Sequence, residues 1–231
     1  MIITVNCAHE QIIFWKVGKM MNKEQIKTIY DSRFMKFYDI QYEKDQHYYM
    51  ASRRKKEDLP ALVSTEDYST LEPDAASCFV VIRVKGEEPK LLLSWEFRYP
   101  AGQYLLSVPA GLIDEEDKGK PDAVELTAAR ELFEETGIMV TDTDEIKVVN
   151  PCVFSTPGLT DEGNALVYIS INRDEMPEIT QKGAEGAEKF GGYELLDKKR
   201  AEELLLRGRD EHGVYYPLYT WAALMFFMGI S

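Results

Sequence analysis

The chain has 231 residues, a formal net charge of −13, and is 45% hydrophobic and 29% charged. That length fits one large domain or one domain with a small accessory unit, and the composition is ordinary for a soluble globular protein. The acidic surface argues against a broad electrostatic grip on nucleic acid or anionic lipid, so neither nucleic acid nor a membrane is expected as a partner.

Residues 1–21 open with MIITVNCAHEQIIFWKVGKM, a mildly apolar stretch without a basic leader or a small-residue cleavage site. They are expected to be an extension, disordered and of little importance, and the protein is expected in the cytoplasm. Cys7, Cys78 and Cys152 show no paired spacing, which fits idle thiols in a reducing compartment better than a disulfide framework or a zinc site.

Residues 22–70 read as a small accessory unit. NKEQIKTIYDSRFMKFY begins polar and helical, and FYDIQYE and HYYMASRR form a β-hairpin around KDQ. From residue 71 to 231 the pattern is that of a larger domain. SCFVVIRV and KLLLSWEFRY are continuous apolar strands flanking GEEP, and LLSVPAGLI is a short strand ending in Pro-Ala-Gly. An acidic loop, DEEDKGK, leads into the helix PDAVELTAARELFEET, with Pro121 at its first position and Gly137 at its C-terminal cap. EIKVVN and ALVYISI are strands joined by the long loop NPCVFSTPGLTDEGN, and KKRAEELLLRG and YPLYTWAALMFFM are closing helices. Strands alternating with helices and hairpins make the class mixed α/β, of the α+β kind.

The acid is concentrated: residues 114–145 hold twelve Asp/Glu against three Lys/Arg. On a helix, Glu131 and Glu135 lie about 40° apart and Glu134 about 60° to the other side, so the three carboxylates can reach one cluster of cations. Leu126, Ala129, Leu132 and Phe133 supply an apolar band to seat the helix on a sheet. Carboxylates are hard ligands suited to Mg²⁺ or Mn²⁺, and magnesium completes its shell with water and substrate phosphates, so the spacing points to phosphate chemistry. The competing reading is a solvated acidic helix end neutralised by Arg130.

PAGLID followed by RELFEETGI resembles the signature box of the Nudix hydrolase superfamily. Arg130, Glu131, Leu132, Glu134, Glu135, Gly137 and Ile138 match every fixed position of its second half. The resemblance implies a Nudix fold, a mixed β-sheet sandwiched between helices with a small N-terminal β accessory unit. It also implies that Glu131, Glu134 and Glu135 hold Mg²⁺ (or Mn²⁺), that Arg130 orients a glutamate, and that Ala110 offers its backbone carbonyl as a further ligand. The first half departs from the pattern: eighteen residues separate Gly111 from Arg130, where the pattern has thirteen. Asp122 stands at the spacing of the first box glutamate, with Glu116 and Glu125 as alternatives.

Flanking segments resemble the ADP-ribose pyrophosphatase branch. WEFRYPAGQYLLSVPAGLID carries Arg98 where that branch has a diphosphate-binding arginine, but Ser107 where it usually has a glutamate. In STPGLTDEGNALVYI, Glu162 matches a loop glutamate credited with activating water or binding metal. The aromatic hairpin resembles that branch's dimerisation unit, with Tyr42, Tyr48 and Tyr49 as conceivable base stackers. The implied activity is Mg²⁺-dependent hydrolysis of a nucleoside diphosphate linked to another moiety, a small nucleotide substrate, with ADP-ribose favoured (products AMP and ribose 5-phosphate), by a homodimer. The alternatives are the same chemistry on NADH, another sugar nucleotide, a dinucleoside polyphosphate or an oxidised nucleotide, and a non-catalytic nucleotide-sensing module. His9, His47 and His212 show no triad or metal spacing.

Overall fold

A computed structural model describes residues 21–181 and 188–230. Cys7, His9 and all but Met21 of the expected extension over residues 1–21 lie outside them; the Met21 N–H donates to the Ala61 carbonyl at 3.2 Å. The chain divides into two compact units, Met1–Leu71 and Glu72–Ser231.

In the first unit a three-stranded antiparallel sheet runs in chain order, β1 (Ile26–Asp31), β2 (Lys36–Glu43) and β3 (Gln46–Ser52). The helix expected from residue 22 is absent: among the described residues a single 3-10 turn, Lys23–Gln25, precedes β1. IKTIYD is rich in β-branched and aromatic residues, and it pairs with β2 along its length, which outweighs the polar helical opening. The hairpin is present, turning at Lys44 and Asp45, and Asp45 takes the positive φ of 60° that such a turn requires. Ile26, Tyr38, Ile40, Met50 and Leu59 form its small core.

In the second unit a seven-stranded mixed sheet comprises β4 (Ala75–Val84), β5 (Lys90–Arg98), β6 (Gln103–Ser107), β7 (Ala110–Leu112), β8 (Glu145–Phe154), β9 (Gly163–Arg173) and β10 (Phe190–Leu196). The main order is β10-β5-β4-β9-β8, with β6 on β5 and β7 on β4. Among the described strands of this sheet only β4 and β9 pair in parallel.

The unbroken apolar run of β4 is explained by cover on both faces. Ala76, Cys78, Val80 and Ile82 pack against α1 (Ala123–Thr136), whereas Phe79 and Val81 face α2 (Lys198–Arg207) and α3 (Leu218–Gly229). The sheet is thus sandwiched between helices, as the sequence implied. No described helix is long and apolar enough to cross a membrane.

Three boundaries differ from expectation. α1 begins at Ala123, with Asp122 at the N-cap position but making no capping bond through its side chain, so Pro121 lies in the preceding turn. Pro151 and Cys152 lie inside β8, not in a loop; β8 ends the sheet and bulges there, and an edge bulge tolerates a residue without an N–H. FGGYELL forms β10, which the sequence does not announce because Gly191 and Gly192 interrupt it. Gly192, at φ 118°, accommodates the bulge between Phe190 and Tyr193.

Candidate active site

The site is built on the C-terminal half of α1. Gly137 ends the helix at φ 73°, its N–H donating to the Phe133 carbonyl at 2.7 Å, as a left-handed cap does. The expected apolar band is rotated. Leu126 and Phe133 are 43% and 50% exposed, and the seat is Val124, Ala128 and Leu132, spaced four apart. That rotation turns two carboxylates inward: Glu131 is 5% exposed and Glu135 is 3% exposed.

Burial penalises the charged forms of both. It pushes the Glu131 carboxyl up to about 7, against the opposing pull of Arg130 and with help from Glu134 and Glu188. Glu135 is raised well above the ordinary carboxylate range by burial, opposed by a bond from the Ala110 N–H at 3.0 Å, and reinforced by Glu96, Glu131 and Glu188.

Arg130 ties the corner together. Its Nη1 donates to Glu131 Oε1 at 2.9 Å and Glu134 Oε2 at 3.3 Å, its Nη2 to the Leu112 carbonyl at 3.0 Å, and its Nε lies 3.3 Å from Asp114. Gly111 passes so close to Glu131 that a Cβ there would fall 2.0 Å from the carboxyl carbon. Ala110, in β7 opposite Ser77 of β4, holds its N–H on Glu135.

The donor chemistry fits a divalent cation. Two inward carboxylates whose charged forms burial penalises would be stabilised as anions by a bound cation, and hard oxygen donors suit Mg²⁺ or Mn²⁺. Among the described residues no three His, Cys, Asp or Glu side chains converge as a ready-made cage. Arg130 stands between Glu131 and Glu134, so the three box glutamates do not point at one spot. Magnesium sites of few protein ligands, completed by water and substrate, do not require such a cage.

A consequence for stability follows. Glu131 binds a proton more tightly folded (about 7) than as an ordinary glutamate (4.5). Its contribution is fully present below pH 4.5 and lost as the pH rises through 7. Full burial would make that shift worth about 3 kcal/mol; discounted for solvent screening, roughly 1–2 kcal/mol remains. In EDTA, the Tm should therefore fall between pH 5 and pH 8, by about 3–6 °C from this group. Glu131→Gln should flatten that part of the profile in thermal melts, and an equally steep fall in the variant would refute the assignment.

Arg98 sits at the end of β5, and its Nη2 is 2.6 Å from Glu96. Glu162, matched above to a loop glutamate after the box, lies just before β9; the Tyr219 hydroxyl of α3 is pushed up to about 12, chiefly by burial, against a hydrogen bond with Ser155 and with the charge of Glu162 adding to the rise. The acidic charges bearing on Glu131 and Glu135 from outside the pair are those of Glu134, Glu96 and Glu188.

Glu96, Glu188 and Asp114 were missed in sequence. Alternation along β5 could have pointed to Glu96, but nothing local marks Glu188, just before β10. Asp122 precedes α1 exposed, Glu116 lies in the turn before it and Glu125 is in its first turn, so geometry selects none of them as the first box acid. His47 is bonded to Asp39 at 2.6 Å, and His212 lies edge-on to Trp95; neither belongs to this site.

A mixed sheet between helices, with buried glutamates on the helix that follows a Pro-Ala-Gly strand end, defines the class of this protein. The chain belongs to the NUDIX domain family, whose model matches residues 71–219. It is 34% identical over 143 residues to an ADP-sugar pyrophosphatase of Mus musculus, covering 60% of each chain. It is 31% identical over 151 residues to an uncharacterised Nudix hydrolase of Schizosaccharomyces pombe, covering 64% of this chain and 68% of that one. A third relative, an ADP-ribose pyrophosphatase of Saccharomyces cerevisiae, is 31% identical over 106 residues, covering 46% of this chain and 42% of that one. The chain thus aligns with about 60% of the length of the mouse relative.

Proposed function

We propose that this protein is a Nudix hydrolase that cleaves the diphosphate of an ADP-sugar, with ADP-ribose as the favoured substrate. The observation that carries the reading is the pair of buried carboxylates, Glu131 and Glu135, held between Arg130 and the Ala110–Gly111 turn. The mouse and yeast relatives, named for ADP-sugar and ADP-ribose, support the substrate class. Water adds across one P–O bond of the diphosphate, so the products are AMP and ribose 5-phosphate.

Glu131, Glu134 and Glu135 would hold Mg²⁺ or Mn²⁺, with the Ala110 carbonyl as a further ligand. Bound there, the metal would neutralise diphosphate charge and lower the pKa of a water. Arg130 orients Glu131 and Glu134. Arg98 offers its guanidinium to phosphate oxygens. Glu162 would position or deprotonate the attacking water. The first unit would mediate a homodimer: its sheet exposes Tyr30, Phe37 and Tyr49, an apolar patch that a partner copy could cover. A cytoplasmic location remains the expectation.

Ser107 keeps a second reading in view, because its hydroxyl donates to the Leu105 carbonyl and brings no charge to the site. The same chemistry would then act on NADH or another nucleotide. Phosphatase-coupled release of phosphate from ADP-ribose, NADH and diadenosine polyphosphates in Mg²⁺ separates the cases. Fastest turnover of ADP-ribose is expected. Turnover of another compound alone would sink that substrate, and no turnover of any would favour a sensing module.

A further inference from the structure

Glu96 is a buried carboxylate outside the box, and nothing in the reaction as proposed above uses it. On β5, Leu91, Leu93 and Trp95 pack towards α2 and α3, while Leu92 packs towards α1. Alternation therefore sends Glu96 and Arg98 to the α1 side, which carries the box glutamates. Glu96 is 9% exposed, and carboxylates are rarely buried unless paired. Its Oε2 lies 2.6 Å from Arg98 Nη2, and the Arg98 side chain is 44% exposed.

The asymmetry of this pair is informative: the acid is buried and the arginine reaches into solvent. The acid's backbone is also held from both sides, because Glu96 is in register with Phe190 of β10 and Leu105 of β6. Arg98 ends the same ladder opposite Gln103. An unrestrained arginine loses rotamer freedom when it binds an anion, and a fixed partner removes much of that loss beforehand. Glu96 also lies near the reacting corner, since its charge bears on Glu135 and that of Glu188 bears on it.

We propose that Glu96 is a positioning residue: it clamps one terminal nitrogen of Arg98 so that the remaining guanidinium edge meets the diphosphate of the substrate. This rests on the assignment of Arg98 to phosphate binding made above. The chemistry recognised is a diphosphate, whatever is attached to it.

The test is a cycle of Glu96→Gln, Arg98→Ala and the double variant, read as KM and kcat for ADP-ribose in Mg²⁺ and as the inhibition constant of inorganic pyrophosphate. Glu96→Gln should raise KM and the pyrophosphate constant about tenfold, with kcat within about twofold, and the double variant should match Arg98→Ala alone. Glu96→Asp, which keeps the charge but withdraws it by one methylene, should raise KM as well and guards against a folding defect in the Gln variant.

Wild-type constants in Glu96→Gln beside raised constants in Arg98→Ala would overturn the proposal. So would a full additional loss in the double variant, or a lower KM, which would make Glu96 a competitor of the phosphate. Unchanged constants in Arg98→Ala would instead sink the phosphate role of Arg98, whatever Glu96 does.

Discussion

Glu135→Gln should lower kcat for ADP-ribose by roughly 10³-fold or more at saturating Mg²⁺, while raising the Tm of the metal-free protein. Glu135 is 3% exposed and accepts a hydrogen bond from the Ala110 N–H at 3.0 Å. Glutamine has the same shape and can still accept that bond, so the fold is retained. What disappears is the negative charge, whose loss removes both a cation ligand and the cost of burying an ionised group. The two readouts move in opposite directions, which a simple packing defect cannot produce. Retained turnover, or a Tm that falls at pH 8 in EDTA, would refute the role given to this carboxylate.

Gly111→Ala should be nearly as damaging to activity, and for a reason of space alone. Its backbone lies outside the left-handed region, so no torsional strain is involved. An added Cβ would lie 2.0 Å from Glu131 Cδ and Oε1 and 2.4 Å from Oε2. Glu131 cannot swing aside freely, because Arg130 holds it at 2.9 Å and the sheet covers it. We expect a loss of about 10²-fold or more in kcat/KM and a destabilisation of roughly 1–3 kcal/mol from overpacking. Steady-state kinetics and thermal melts measure both. A variant with ordinary kinetics would mean that the approach of Gly111 to Glu131 is not part of the working site.

Several features were legible along the chain because they are local. The unbroken apolar run of β4 announced a strand covered on both faces, and Gly137 announced the end of α1. The spacing of Glu131, Glu134 and Glu135 placed them on neighbouring positions of one helix, since 100° per residue is a property of the helix itself. Other elements were lost where local signals compete. Ile26–Asp31 has a polar, helical preamble but is paired with β2, and Phe190–Leu196 contains two glycines yet completes the sheet edge. In both, hydrogen bonds from a distant strand outweigh intrinsic propensity.

The site itself divides along the same line. The spacing along the chain was enough to give the angular order of Glu131, Glu134 and Glu135 around α1. It did not determine how α1 is rolled against the sheet, because a helical wheel has no external reference. Packing of Val124, Ala128 and Leu132 set that angle, buried Glu131 and Glu135, and left Leu126 and Phe133 outside. Tertiary structure alone likewise brought Glu96, Glu188 and Asp114 to the carboxylate corner. These placements depend on strand register and crossover between segments far apart in the chain, which no local spacing encodes.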